Sequence, residues 1–354
     1  MQTNDCVLGI DIGGTTTSLG IVDRQGGLIS ETTLDTQPHQ SAHTLVSRLC
    51  DAVLKLRTAL TAQIHLSGIG IGAPNANYLR GTVEHPVNLN WGASTNLVEL
   101  FRQRYDLPVA ITNDANAAAI GEMQFGGARG MKHAIVITLG TGLGSGIITN
   151  GELLYGADGF AGELGHTVVD PNGRHCACGK RGCLETYASA TGLCRSFSEL
   201  LGQRLDPSSL RETCFSALTS KLIYEAACGG DIIALAAFDT TARILGMKLA
   251  DAVAHTSPEA IFLSGGLAAA GEQLITPTRR YMEEFLFTPY RGKVKLLQSG
   301  LPEGSGAILG AAALAWHEVE KHHKNGLMEV SLKVRGESMR VNAEFDRVEN
   351  EPRK

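Results

Sequence analysis

The chain has 354 residues, 43% of them hydrophobic, and a formal net charge of −5. This length predicts two domains, or one large domain, with a sizeable core. The negative charge gives no electrostatic reason to expect nucleic acid or an anionic membrane as the main partner. Asp11 interrupts the first apolar run, and the longest mostly apolar stretch, 306–316, is shorter than the roughly 18 residues of a membrane span. We therefore expect a soluble cytoplasmic protein.

The chain begins with three predicted strands that are joined by tight, glycine-rich turns. Such strands form an antiparallel meander. A helix with apolar residues at helical spacing follows, and after it come a strand, an irregular segment and a short helix. In chain order these elements are predicted at residues 6–12, 18–22, 28–34, 41–60, 66–73, 78–94 and 97–105.

Further along the chain, strands and helices alternate. The predicted strands are 109–112, 133–139, 147–149, 260–263 and 294–298, and the predicted helices cover most of 186–255 and 304–321. Asp11-Ile-Gly-Gly-Thr15 and Leu139-Gly-Thr-Gly-Leu-Gly144 resemble weak copies of one unit, in which a strand leads into a hairpin of Gly and Thr. We therefore predict two related α/β halves that face each other across a cleft.

The last stretch of the chain differs from the rest. Val330, Leu332 and Val334 alternate with polar residues, as do Met339 and Val341. This pattern predicts a β-hairpin within a C-terminal extension, residues 322–354.

Two hairpins of glycine and threonine are candidate phosphate-binding loops. Their candidate residues are Gly13, Gly14 and Thr15 in the first loop and Thr141, Gly142 and Gly144 in the second. Backbone N–H groups and hydroxyls in such hairpins bind phosphate oxygens, and the absent side chains allow close approach. Asp11 ends the first strand, where a carboxylate can orient Mg²⁺ beside a polyphosphate. An ordinary tight turn is the alternative for either loop.

Two better-known phosphate motifs are excluded. A Walker A loop requires Gly-Lys followed by Ser or Thr, and the sequence contains no such triplet. The segment 140–146 has the glycines of a dinucleotide fingerprint, but it leads into a predicted strand and an Asn150-Gly151 turn where that fingerprint requires a helix.

Asn113-Asp114 lies where a predicted strand passes into an alanine-rich helix. Asp is a favoured helix N-cap, so a purely structural role is one interpretation. The other is that Asp114 is a general base, since phosphoryl transfer to a hydroxyl needs mainly positioning and one such carboxylate.

A histidine and three cysteines within one loop predict a structural zinc site. His166, Cys176, Cys178 and Cys183 supply the four imidazole and thiolate ligands that tetrahedral zinc prefers. His175 is a rival fourth ligand, and reduced cysteines without metal or a disulfide are the alternatives. Four protein ligands leave no open position for water, so a zinc hydrolase is not expected.

Two carboxylates flank this loop and could recognise a sugar. Glu163, His166 and Glu185 combine groups that accept from and donate to vicinal hydroxyls. If one ring nitrogen of His166 binds zinc, the other can donate to a hydroxyl. The alternative is that both carboxylates are ordinary solvated surface groups.

Taken together, these motifs resemble the ROK sugar kinases of the actin-like ATPase superfamily. The resemblance covers about residues 6–320. The matching segments are Asp11-Ile-Gly-Gly-Thr, Asn113-Asp114, Leu139-Gly-Thr-Gly-Leu-Gly, Glu163-Leu-Gly-His166, Cys176-x-Cys178-Gly-x-x-Gly-Cys183-x-Glu185 and Leu263-Ser-Gly-Gly266.

The resemblance implies a two-domain α/β protein with the actin-like ATPase (ribonuclease H-like) fold and a cleft between the domains. The small domain would comprise 1–113 and roughly 300–321, and the large domain, with the zinc loop, would comprise 114–299. A homodimer or homotetramer is also implied.

The resemblance further implies an ATP-dependent hexose kinase with Asp114 as catalytic base. The implied sugar ligands are Asn88, Asn113, Asp114, Glu163, His166 and Glu185. The Gly13 and Gly142 loops would hold phosphates, while Gly265 and Gly266 would lie near the adenosine. The implied zinc ligands are His166, Cys176, Cys178 and Cys183, which favours His166 over His175.

Within the family, Asn88-Leu-Asn90-Trp91 together with Glu163, His166 and Glu185 resembles the members that phosphorylate glucose. We expect transfer of the ATP γ-phosphate to the 6-hydroxyl of glucose, with Mg²⁺. Kinases for N-acetylglucosamine, N-acetylmannosamine, fructose or allose remain alternatives, and so does a sugar-sensing regulator without turnover. Regulators of this family carry an N-terminal helix-turn-helix domain, for which a first loop at Asp11 leaves no room. Thr16 stands where many members have Lys, so the phosphate donor could differ.

Overall fold

The computed structural model describes residues 4–60, 64–86, 89–302 and 304–334. The first elements are Asn4–Ile12 (β1), Thr16–Asp23 (β2), Leu28–Asp35 (β3), Ala42–Ala59 (α1), Ile64–Gly72 (β4), Ala76–Asn77 (β5), Thr82–Glu84 (β6), Ser94–Asn96 (β7), Leu97–Arg102 (α2) and Val109–Thr112 (β8). The middle elements are Asp114–Gln124 (α3), Ala134–Leu139 (β9), Leu143–Thr149 (β10), Glu152–Leu153 (β11), Ala190–Gln203 (α4), Ser220–Cys228 (α5) and Ile232–Thr256 (α6). The last elements are Ala260–Ser264 (β12), Glu272–Phe285 (α7), Lys295–Gln298 (β13) and Gly306–Val334 (α8).

Two five-stranded sheets with the same construction form the centre of the molecule. Their strand orders are β3-β2-β1-β4-β8 and β11-β10-β9-β12-β13. In each sheet an antiparallel meander of three strands is extended by two parallel strands. The parallel strands of each sheet end at one edge, so the loops that follow them meet there. This duplication matches the repeat predicted from the two glycine/threonine segments.

Each sheet has its own hydrophobic core. Helix α1 begins after Ser41, whose side chain accepts a hydrogen bond from the Thr44 N–H, and it buries Leu45, Leu49 and Val53 against the first sheet. Helices α4 to α7 share a core with one face of the second sheet, where Phe197 and Phe238 are almost completely buried. Two separate cores are consistent with a cleft between the sheets.

Helix α8 packs against the first sheet through backbone contacts. Gly9 of β1 and Gly70 of β4 are paired neighbours in the sheet. A Cβ atom added to Gly9 would overlap the carbonyl oxygen of Ile308, and one added to Gly70 would overlap that of Ala311. The helix therefore approaches the sheet more closely than side chains would allow.

Helix α8 also crosses α3 at close range. A Cβ atom added to Gly310 would lie 2.6 Å from the carbonyl oxygen of Ala117, and one added to Gly121 would lie 3.0 Å from the Cα atom of Gly310. Because α3 begins at Asp114, α8 connects the first sheet to the helix that carries the candidate base.

Some predicted elements differ from the structure. The prediction of a strand at Val330, Leu332 and Val334 is wrong, because α8 continues through Val334. The alternation covers only three residues, and the segment before it is rich in helix-forming Glu, Lys and Leu without a proline to end the helix. Met339, Val341 and the rest of the predicted hairpin lie outside the described residues. The structure also contains α7, and the segment predicted to be irregular, 78–94, contains β6, which pairs with β5 and β7 at its two ends in a small sheet.

Among the residues that the structure describes, no helix has both the length and the apolar character needed to cross a bilayer.

The contact between α8 and β4 predicts a large effect of a small substitution. Gly70→Ala should lower the free energy of unfolding by about 1–3 kcal/mol or more, because the methyl group overlaps the helix backbone. Urea unfolding followed by circular dichroism measures this change. Gly202→Ala in α4 is the matched control, since nothing lies within 4 Å of the added Cβ atom. Equal unfolding midpoints for the two variants would contradict this packing.

Candidate active site and metal centre

A cavity of about 490 Å³ lies at the carboxyl ends of the strands, between the two sheets. The first half of the molecule contributes Asp11, at the end of β1. The second half contributes Thr138, at the end of β9, together with Gly265 and Gly266, which follow β12. Asp114, the first residue of α3, also lines this space. The cavity thus brings together four of the residues expected from the sequence, namely Asp11, Asp114, Gly265 and Gly266.

The structure separates the roles of Asn113 and Asp114. Asn113 caps helix α3, because its Oδ1 atom accepts from the Asn116 N–H at 2.7 Å. Asp114 accepts from its neighbour, with Oδ1 at 2.9 Å from the Ala115 nitrogen. The capping interpretation of the sequence therefore applies to Asn113, and the carboxylate of Asp114 faces the cavity.

Asp11 and Asp114 influence each other electrostatically. The side chain of Asp114 is open to the cleft but otherwise enclosed by protein, and this burial raises the pKa of its carboxyl group. Burial and then the negative charge of Asp114 raise the pKa of Asp11 to about 6. The negative charges of these two carboxylates repel each other within one cleft, so the site favours a proton or a cation beside them.

The two glycine/threonine loops lie beside this cavity. In the first loop the Gly13 N–H donates to the Thr16 carbonyl oxygen at 2.9 Å, and the Thr36 hydroxyl donates to the Gly13 carbonyl oxygen at 2.8 Å. These bonds close the hairpin and leave Thr15 exposed. Gly14, in the same hairpin, is partly exposed, and neither Gly14 nor Thr15 lines the cavity.

The second loop lies between α3 and the metal loop. A Cβ atom added to Gly144 would come 2.7 Å from the Cβ atom of Ala115, the residue after Asp114. One added to Gly142 would come 2.7 Å from the Oε2 atom of Glu185. Thr141, which precedes Gly142, is exposed. The second loop therefore contacts the start of α3 through Gly144 and the candidate sugar ligand Glu185 through Gly142.

The predicted sugar ligands form a second polar group that adjoins the cavity. The Nδ1 atom of His166 lies 3.6 Å from the Oε1 atom of Glu185. Burial raises the pKa of Glu163, His166 opposes this shift, and the charges of Asp114 and Glu185 add to it. These mutual effects place Glu163, His166, Glu185 and Asp114 in one electrostatic environment. Asn88 lies outside the described residues.

His166, Cys176, Cys178 and Cys183 form a cluster suited to a metal ion. Their ligand atoms all lie within 4.8 Å of one another. The Sγ atoms of Cys178 and Cys183 are 3.6 Å apart, and Cys176 Sγ is 3.7 Å from His166 Nδ1. Tetrahedral zinc with metal–sulfur bonds of about 2.3 Å has sulfur–sulfur edges of about 3.8 Å, so the donor set fits this ion.

The backbone of the loop explains why His166, and not His175, joins the cluster. His175 pairs with Arg181 in an isolated β-bridge, within a tight turn. Gly182 in this turn has a φ of +69°, and an added Cβ atom would overlap the Asp170 carbonyl oxygen. The Nζ atom of Lys180 donates to the His166 carbonyl oxygen at 2.7 Å, which holds the histidine segment against the cysteine turn.

The sequence profile of the ROK family matches residues 7–318 of this chain. The chain belongs to the ROK family. A glucokinase of Halalkalibacterium halodurans is 36% identical over 307 residues, which cover 86% of this chain and 93% of that protein.

Solved structures of the ROK family match as well. The crystal structure of a ROK-family glucokinase from Streptomyces griseus, in complex with glucose and AMPPNP, has a TM-score of 0.73 and 35% identity and covers 88% of this chain and 99% of that chain. A ROK-family transcriptional regulator, a homolog of the E. coli MLC protein, has a TM-score of 0.80 and 26% identity and covers 89% of this chain and 78% of the regulator. The expected actin-like ATPase fold is confirmed by these matches.

One wall of the ROK-family cleft was missed in the sequence analysis. The wall consists of Gln298, the last residue of β13, and of Ser299, Leu301 and Pro302 in the loop that follows. Their signal was available, since the predicted strand 294–298 is followed by a loop rich in Gly, Ser and Pro. Strand pairing, which places this loop beside Ser264, could not be inferred from local sequence.

The raised pKa of Asp11 predicts a pH-dependent cost in stability. Its folded-state pKa of about 6 exceeds the ordinary value of 3.8, so its contribution to stability is lost as the pH rises from about 4 through about 6. Asp11→Asn should therefore raise the melting temperature at pH 8 by a few degrees, equivalent to about 1–3 kcal/mol, and the gain should disappear toward pH 4.

Thermal unfolding at several pH values measures this effect. Asp106→Asn, at an exposed carboxylate, is the control and should show no such pH-dependent gain. A melting temperature for Asp11→Asn that stays below the wild-type value at every pH would contradict the electrostatic argument.

Proposed function

We propose that this protein transfers the γ-phosphate of ATP to the 6-hydroxyl of glucose. The single observation that carries the proposal is the position of Asp114. Its carboxylate does not cap helix α3 and faces a cleft shared by both halves of the molecule. The related Streptomyces griseus glucokinase was crystallised with glucose and AMPPNP, an ATP analogue.

Asp114 supplies the general base. Phosphoryl transfer needs mainly positioning and charge stabilisation, plus one group that accepts the proton of the attacking hydroxyl. The surrounding protein raises the pKa of Asp114 by burial, which makes its carboxylate a stronger base than an ordinary aspartate. Capping of α3 by Asn113 leaves the Asp114 side chain available for the hydroxyl.

Two sets of residues lie beside Asp114, and each binds one substrate. The sugar lies against Glu163, His166 and Glu185, with Asn88 and Asn113 as further ligands. ATP lies in the cavity, with the adenosine near Gly265 and Gly266 and the phosphates near the Gly13 and Gly142 loops. Mg²⁺ would be held beside Asp11, where it neutralises phosphate charge. The mutual repulsion of Asp11 and Asp114 supports a cation at this place.

Zinc would have a structural role in this scheme. His166, Cys176, Cys178 and Cys183 would supply all four ligands of a tetrahedral ion, which would leave no position for water or substrate. The ion would fix the ring of His166 and the segment that leads to Glu185. The residues that face the sugar thereby keep one arrangement.

A coupled assay of ADP production across a panel of sugars tests the activity. We expect the highest kcat/KM for glucose, compared with fructose, allose, N-acetylglucosamine and N-acetylmannosamine. Asp114→Asn should lower kcat for glucose about 10²- to 10⁴-fold, because it removes the base but keeps the shape of the side chain.

Asp106→Asn serves as the control for this assay. Near-normal turnover by folded Asp114→Asn protein would show that the base is another group. Glucose binding without ADP production by the wild type, under saturating ATP and Mg²⁺, would favour a sugar-sensing regulator instead.

The metal site predicts about one zinc ion per chain in protein purified without chelator. Cys178→Ser should lose most of this zinc, lower the melting temperature and reduce kcat/KM for glucose, since the sugar-binding loop loses its support. Elemental analysis by mass spectrometry measures the metal. Cys214→Ser changes an exposed cysteine outside the cluster and should retain the zinc. Absence of zinc from the wild type would rule out this site.

A further inference from the structure

Glu122 is a completely buried acidic residue near the end of α3. Its two carboxylate oxygens accept hydrogen bonds from three groups. The Gly127 N–H donates to Oε2 at 2.7 Å, the Gly300 N–H donates to Oε1 at 2.9 Å, and the Ser299 hydroxyl donates to Oε1. A buried carboxylate is costly unless such donors surround it, and here they come from two segments far apart in sequence.

The position of Glu122 connects it to the cleft. Asp114, Ala118 and Glu122 are spaced four residues apart, so they follow one face of helix α3. Asp114 and Ala118 both line the cavity. Glu122 continues this row and accepts hydrogen bonds from the loop after β13, which forms another wall of the cavity.

The backbones that Glu122 joins are in direct contact. A Cβ atom added to Gly300 would lie 2.6 Å from the Gly127 nitrogen. The Ser299 Oγ atom, besides donating to Glu122, accepts from the Leu301 N–H at 3.2 Å. Ser299 and Leu301 both line the cavity, so the hydrogen bonds of Glu122 fix the start of this wall.

We propose that Glu122 is a positioning residue that sets the wall formed by residues 299–302 against Asp114 and thereby controls nucleotide binding. This inference rests on the proposed kinase function and refines it. Glu122 does not line the cavity, so it acts through the wall and has no contact with substrate. Three of the sugar ligands, Glu163, His166 and Glu185, belong to other segments, to which Glu122 makes none of its hydrogen bonds. Asn113 and Asp114 lie at the start of α3, about two helical turns before Glu122.

The test compares nucleotide and sugar binding in the full-length Glu122→Gln variant. The amide places an NH₂ group among donors, so hydrogen bonds to the wall are lost while size is preserved. We expect the Kd for a fluorescent ADP analogue and the KM for ATP to rise about tenfold or more, as loss of a hydrogen bond to a charged group predicts. The KM for glucose should change less than about twofold, since that site is not held by Glu122.

Two further variants keep the test decisive. Ser299→Ala removes only the hydroxyl donor and should raise the same two constants about threefold, and the double variant should resemble Glu122→Gln alone because the two residues act together. Glu259→Gln is the control. Glu259 also accepts from two backbone N–H groups, those of Lys132 and His133 at 2.8 and 3.1 Å, but it precedes β12 at the end of the sheet away from the cavity.

The outcomes separate the inference from the function. If the wild type phosphorylates glucose and the Glu122→Gln and Ser299→Ala variants bind nucleotide as tightly as it does, the inference is wrong and the function stands. Equal increases in the KM values for ATP and glucose would show a general structural role and would also overturn it. If the wild type binds no nucleotide, both the proposed function and the inference are wrong.

Discussion

The structure depends on how closely helix α8 approaches its neighbours. Glycines remove the side chains that would hold the backbones apart, Gly9 and Gly70 toward the first sheet and Gly121 and Gly310 toward α3. The first sheet, α8 and α3 therefore form one packed unit, although their segments are up to 300 residues apart in the chain. Because α3 begins at Asp114, the placement of the candidate base follows from this packing. Asp11 has a fixed position relative to Asp114 for the same reason.

The cleft combines favourable packing with unfavourable charge. Asp11 and Asp114 are both partly withheld from water, and burial raises the pKa of each. A protein selected only for stability would not keep two such carboxylates in one cavity. Their electrostatic cost is the physical sign that distinguishes this cavity from an ordinary gap between domains. Glu122 shows the opposite case, since donors surround its buried carboxylate.

Local patterns in the sequence were sufficient to predict most of the fold and part of the site. Strands such as β1 and β9 were recognisable because an apolar run ends in a glycine turn, and Asp11 and Asp114 stood at strand ends. Helix α7 was not predicted, because it contains an internal proline, Pro277, and proline is unfavourable inside a helix. The wall at 299–302 could not be predicted, because pairing between β12 and β13 places it in the cleft. The family resemblance favoured His166 over His175, but the residues alone left this choice open, because it depends on how the loop folds back.

The duplicated sheets have a consequence for the orientation of a ligand. Asp11 and Thr138 occupy corresponding strand ends, and the loops after β8 and β13 follow corresponding edge strands. An approximate twofold axis therefore passes through the cleft. The strand arrangement follows this symmetry, but the positions of the charged side chains do not. The first half contributes Asp11 and Asp114, whereas the matching positions of the second half, by strand register, are the uncharged Thr138 and Leu301. A molecule with one anionic end that spans the axis therefore meets two different electrostatic surfaces and has one preferred direction of binding.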